Sequence, residues 1–198
     1  MPNDKVVAQI KKSYLTAKNA INRFIEEKKN IELTYEISEL IARRLQNKKK
    51  ILICGNGGSL CDSMHFAEEF TGRFRKNRPA LPVISLTDPA HITCVGNDFG
   101  FDSIFSRGVE AYGNKDDILI GLSTSGNSAN IIAAIKEAQN RKMTTICLLG
   151  KEGGKLKNTA DYQFIVNEKT SDRIQEVHMT ILHIVIEGVE RILYPQNY

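Results

Sequence analysis

The chain has 198 residues, 41% of them hydrophobic and 25% charged, the balance of a folded globular protein rather than a disordered one. That length fits one domain, residues 1–198, and a core of that size needs neither disulfides nor a structural metal. The net charge is +4 with Lys and Arg scattered, and the one basic run, Lys48-Lys49-Lys50, reads as a solvated helix end, so no nucleic-acid partner is expected.

Apolar residues recur at helical spacing from Val6 through Phe24 and from Ile31 to Leu45, which predicts two N-terminal helices forming an extension over 1–47. The remainder, 48–198, changes pattern. Ile51-Leu52-Ile53-Cys54 is a short apolar run ending in Gly55-Asn56-Gly57-Gly58, with a helical segment from Ser59 to about Phe70. Val83-Ile84-Ser85-Leu86 precedes a helix opening at Asp88-Pro89, a capping residue followed by a residue suited to the first turn. Ile118-Leu119-Ile120-Gly121-Leu122 leads through Ser123-Thr124-Ser125-Gly126-Asn127-Ser128 into a helix over Ala129–Asn140. Thr144–Leu149 and Tyr162–Val166 are two further strands, and a long helix runs from about Ser171 to Leu193. Continuously apolar strands alternating with helices predict an α/β fold, a doubly wound parallel sheet of about five strands covered on both faces. Ligands in such sheets lie beyond the C-terminal strand ends, where the glycine-rich and serine-rich loops fall.

The serine loop carries four hydroxyls in six residues at a helix start. Free N–H groups and the positive end of the helix dipole favour an anion there, and a phosphate could accept from the hydroxyls. The competing reading is an ordinary N-cap with Ser-rich turn chemistry. The glycine loop fails the dinucleotide fingerprint, because Leu60 stands where a third Gly is needed, and no GxxxxGK[ST] occurs. Nucleotide binding is not expected.

His65 and Glu69 share a helix face at i, i+4, and Glu68 at i+3 competes for the same role. His183 lies in the apolar stretch Ile181–Ile186, with Gln175 eight residues earlier on roughly the same face. Together His65, Glu69, Gln175 and His183 form a plausible N/O set for zinc or a related divalent ion, and Glu and His are the usual general acids and bases. Each alone has a structural reading, as a core histidine or a surface pair, and His91 and His178 are read as structural. The cysteines, Cys54, Cys61, Cys94 and Cys147, have no CxxC spacing and form no disulfide framework. No stretch reaches the length of a membrane span and Met1–Gln9 lacks a signal-peptide core, so a cytoplasmic protein without a membrane partner is expected.

In combination, Cys54–Ser59, Met64–Glu69, Cys94–Gly100, Ser123–Asn130 and Asp172–His178 resemble the phosphoheptose isomerases of the SIS (sugar isomerase) family along nearly the whole chain. The serine loop by itself would indicate only a generic SIS domain. The resemblance implies an aldose–ketose isomerase acting on sedoheptulose 7-phosphate through an enediol, at the first step toward heptose precursors of bacterial surface glycans. It implies that Ser123, Thr124, Ser125 and Ser128 hold the phosphate. Asn56, Gly57, Gly58, Asn97, Asp98 and Asp172, with Glu69 and Gln175, would contact the sugar. Glu69 and His183 would be the catalytic pair, and His65, Glu69, Gln175 and His183 the ligands of one zinc per subunit. It further implies a homotetramer with sites at subunit interfaces, leaving open that the two catalytic helices come from different chains. None of these positions departs from the family pattern. The rival is a non-catalytic SIS scaffold of the replication initiator-associating type, which lacks the Glu and the last-helix His.

Overall fold

The computed structural model describes residues 3–198. Two helices lead, α1 (Asp4–Glu26) and α2 (Lys28–Gln46). The core follows as β1 (Ile51–Gly55), α3 (Gly58–Thr71), β2 (Val83–Ser85), α4 (Pro89–Phe99), α5 (Ile104–Tyr112), β3 (Ile118–Ser123), α6 (Ala129–Asn140), β4 (Thr144–Gly150), β5 (Tyr162–Val166) and α7 (Ser171–Leu193). The five strands form one parallel sheet in the order β2-β1-β3-β4-β5. Strand order reverses between β1 and β3, which makes the crevice above their C-terminal ends the ligand position of this architecture.

Every residue of β1 and β3 is buried, because side chains alternate between two cores. Ile51, Ile53, Ile118, Ile120 and Leu122 pack on one face with α2, α3 and α7. Leu52, Cys54 and Leu119 pack on the other with α4, α5 and α6. Each fully buried Ile or Leu contributes about 1.5–3 kcal/mol, so the sheet is anchored from both sides and its loop ends are held firmly.

All five strands and six of the seven helices lie where the sequence places them. α5 is the addition. Its nine residues carry Gly108 in the middle and a start at Ser103 without a side-chain cap bond, so local propensity is poor. Packing decides it: Ile104, Phe105 and Val109 are buried, and a Cβ on Gly108 would lie 3.1 Å from Leu86. The Asp88 cap forms as expected, its Oδ1 accepting from His91 N at 2.7 Å. Lys50 of the basic run pairs with buried Asp117 at 2.5 Å, and Lys49 donates to the Lys115 carbonyl; both are structural. All four cysteines are free, and burial pushes the Cys147 thiol up to about 12. Among the described residues no helix is long and apolar enough to cross a membrane.

Candidate active site

The glycine loop turns because Gly57 has φ +56°, ψ −120°, a conformation side chains rarely adopt. Its neighbour Gly58 opens α3 under Gln175 of α7: a Cβ there would lie 2.7 Å from the Gln175 amide nitrogen. The absence of that Cβ lets α7 come close, and Gln175 Nε2 then donates to Ser59 Oγ at 3.4 Å. Asn56 is held by a reciprocal amide pair with buried Asn130 of α6, both bonds 2.9 Å. This pair ties the glycine loop to the helix after the serine loop. Nothing at the level of sequence pattern marks Asn130 for it.

Two turns into α3, His65 and Glu69 meet His183 of α7. His65 Nε2 lies 3.3 Å from Glu69 Oε1 and 3.4 Å from His183 Nε2. Within one chain, α3 and α7 bring these side chains together. Glu68 Oε1 stands farther off at 3.8 Å with its side chain 64% exposed, against 16% for Glu69, which is the closer and more buried partner of His65. Partial burial first, then His65, push His183 below the usual imidazole range, with Glu69 acting the other way. The Phe74 ring stacks against His183 at 5.9 Å. One turn before His65, burial raises the Asp62 carboxyl, His65 opposing; its Oδ2 has no partner among the described residues.

The three groups fit a shared cation. One ligand atom from each of His65, Glu69 and His183 lies within 4.8 Å of the others. Ligands at about 2.0–2.1 Å on a tetrahedral zinc are roughly 3.4 Å apart, which matches two of the three separations, those from His65 at 3.3 and 3.4 Å, while Glu69 and His183 stand farther apart, within 4.8 Å.

Ser123 ends β3 and its Oγ lies 3.0 Å from Ser128 Oγ while accepting from Gly126 N at 3.1 Å. Ser128 is the N-cap of α6 but makes no side-chain cap bond, so its hydroxyl is not consumed by capping. Thr124 Oγ1 lies 3.2 Å from Ser171 Oγ, and Ser125 Oγ accepts from Asn127 N. The loop is braced from behind, since a Cβ on Gly126 (φ +63°) would meet the Gly153 carbonyl at 1.9 Å. Four hydroxyls beside an uncapped helix start suit an anion.

The remaining predicted residues stand apart. Asn97 and Asp98 are exposed at the end of α4, bonded to each other at 2.7 Å rather than to the cluster. Asp172 opens α7 in solvent, held down to about 2 by the Thr170 hydroxyl and then by Arg173. His91 and His178 are structural as read: their Nε2–H groups donate to the carbonyls of Ile104 and Leu149, at 2.9 and 3.0 Å.

Residues 13–150 match the family model for the SIS domain. The chain is similar to a phosphoheptose isomerase of Fusobacterium nucleatum, 59% identical over 94% of this chain and 96% of that one. The solved phosphoheptose isomerase of Neisseria gonorrhoeae superposes with a TM-score of 0.86 at 37% identity, covering 93% and 99% of the two chains. That of Francisella tularensis gives 0.84 at 35%, covering 95% and 97%. With a two-thirds match to the domain model and near full-length identity at that level, the chain belongs to the phosphoheptose isomerase family of SIS-domain proteins.

Proposed function

We propose that the protein interconverts sedoheptulose 7-phosphate and D-glycero-D-manno-heptose 7-phosphate, the first step toward heptose units of bacterial surface glycans, in the cytoplasm. The observation that carries this reading is the meeting of Glu69 and His183, from helices far apart in sequence, in a chain that also carries a hydroxyl-lined loop after β3. The chemistry moves a carbonyl from C2 to C1. Glu69 takes the proton from C1 of the ketose, leaving a cis-enediol, and returns it to C2. His183 moves a proton between the two oxygens, within the reach general acid–base catalysis needs. The serine loop holds the phosphate, and Asn56, Gly57, Gly58, Asn97, Asp98, Asp172 and Gln175 the sugar; phosphate binding anchors the reacting end.

His65, Glu69 and His183, with the Gln175 amide oxygen, would hold one zinc per subunit. When bound, such an ion supplies Lewis-acid polarisation of the carbonyl. The scaffold reading is disfavoured by the pair it lacks, since both Glu69 and His183 are present and adjacent to His65.

A homotetramer is part of the reading. An apolar groove of about 370 Å³ between α1, α2 and α7 is lined by Ile21, Phe24, Ile25, Ile31, Ile184 and Ile192, and Tyr14 is 75% exposed beyond it. Large exposed apolar patches of this kind mark protein contacts. Asn97 and Asp98, exposed and bonded to each other at the end of α4, are suited to complete a neighbouring subunit's site.

The test is proton NMR of sedoheptulose 7-phosphate with the purified protein, before and after chelation and zinc restoration, with light scattering on the same sample. Aldose formation lost on chelation, regained with zinc, and a mass of four chains are expected. Folded, zinc-supplied protein that leaves the ketose untouched would end the isomerase reading.

A further inference from the structure

We propose that Arg78 and Glu190 form a buried clamp that fixes α3 against α7, making Arg78 a positioning residue for Glu69 and His183. The proposal rests on that pair being the reacting centre. Arg78 lies in the irregular stretch between α3 and β2, yet its side chain is 1% exposed and that of Glu190 is 0% exposed. Arg78 Nε donates to Glu190 Oε1 at 2.8 Å. Nη2 donates to the carbonyl of Glu69 at 2.6 Å, and Nη1 to those of Phe70 at 2.6 Å and Gly72 at 3.1 Å. The second carboxylate oxygen of Glu190 accepts from the Tyr198 hydroxyl at 2.8 Å.

The last carbonyls of a helix lack partners inside it and carry the negative end of its dipole, so a guanidinium there both satisfies and complements them. The main chain so held at the end of α3 is that of Glu69 itself. Glu190 follows His183 by seven residues, two turns or about 10.5 Å along one stripe of α7. One planar, rigid group therefore fixes the backbone of the base and the helix face of its partner. The intervening residues follow the same path: Phe74 stacks on His183, and Arg75 Nη2 meets Glu187 Oε2 at 2.8 Å. Separating the helices would strand Glu190 as an unpaired buried charge, which is strongly disfavoured. The cluster's own contacts are half-exposed and long by comparison, at 3.3 and 3.4 Å. They inherit their spacing; the clamp sets it.

A buried ion pair replaced on both sides by apolar residues often leaves the fold intact, which separates positioning from stability. The experiment compares wild type with Arg78→Met/Glu190→Met, Arg78→Lys and Glu190→Gln. Melting, steady-state kinetics, inorganic phosphate affinity and zinc affinity by chelator competition are measured for each. The double variant is expected to fold, to bind phosphate as wild type does, and to keep KM. Its kcat and zinc affinity are each expected to fall about ten- to a hundredfold, as when outer partners of such sites are removed. Glu190→Gln keeps an acceptor for Arg78 and is expected to retain most of kcat. A folded double variant with wild-type kcat and zinc affinity overturns the clamp. Should the double variant not fold, Arg78→Lys decides in its place: Lys keeps the charge but not the fork, and full kcat from it overturns the proposal equally. A wild type that binds zinc but isomerises nothing removes the functional reading, while the zinc arm still judges the clamp.

Discussion

The serine loop and the His65–Glu69–His183 cluster are built differently. In the serine loop, several partners lie within a few residues of each other, Ser123 with Ser128, Gly126 with Ser123 and Asn127 with Ser125, and Thr124 alone of the four hydroxyls reaches a distant side chain, Ser171. In the cluster, His65 and His183 are 118 positions apart and meet only because α3 and α7 pack on the same face of the sheet. A binding loop can be specified locally by turn chemistry, whereas the reacting groups depend on helix packing. The first should therefore fail through affinity and the second through turnover.

The sharpest way to break this contrast is Glu69→Gln. The amide keeps the shape but cannot take a proton, and general acid–base groups contribute about 10²–10⁴-fold. A loss of kcat in that range is expected by NMR assay, with inorganic phosphate affinity unchanged by calorimetry. Turnover near wild type would remove Glu69 as the base.

A smaller effect is expected where the two regions join. His178 sits on α7, five residues before His183 and turned toward the sheet, and donates to Leu149 of β4, the strand next to the serine loop. It is fully buried, and burial lowers its pKa from 6.5 to about 4. The folded state thus keeps the imidazole neutral over a range where the unfolded chain binds a proton. Stability from this group is complete above about pH 6.5 and is lost as pH falls toward 4, at about 1.4 kcal/mol per unit and about 3 kcal/mol in all. Urea unfolding from pH 7 to 4.5 should reveal this slope, and His178→Gln should flatten it; an unchanged slope in that variant would assign the acid sensitivity elsewhere.

Much of this was legible in the sequence for physical reasons that differ by element. All-apolar strands and capped helices announce themselves, so the five strands and the Asp88 start fell into place. The serine and glycine loops were legible because their residue types are dictated by turn geometry. Spacing put His65 and Glu69 on one face but could not rank Glu68 against Glu69 as the neighbour of His65; distance and side-chain burial do that. α5 was hidden because packing around Gly108, not propensity, makes it a helix. Arg78, Glu190 and the Asn56–Asn130 pair were illegible, since a charge or amide that finds its partner more than 70 residues away leaves no local pattern.

The smallest effect expected, and the one that most directly tests the binding half, is in the serine loop. Ser123 is buried and bonded on both sides, so its removal would mix folding with binding. Ser125 is half-buried, and its hydroxyl accepts only from Asn127 N, an exposed group that water can satisfy. Ser125→Ala should therefore leave the melting temperature nearly unchanged. What it removes is one hydrogen bond to a charged phosphate, worth about 1.5–3 kcal/mol, so KM should rise about ten- to a hundredfold. Because the phosphate takes no part in the proton transfers, that bond is equally strong in ground and transition states, and kcat should hold. A fall in kcat with KM unchanged would mean that Ser125 acts on the reacting end, and the division between a binding loop and a catalytic helix pair would have to be redrawn.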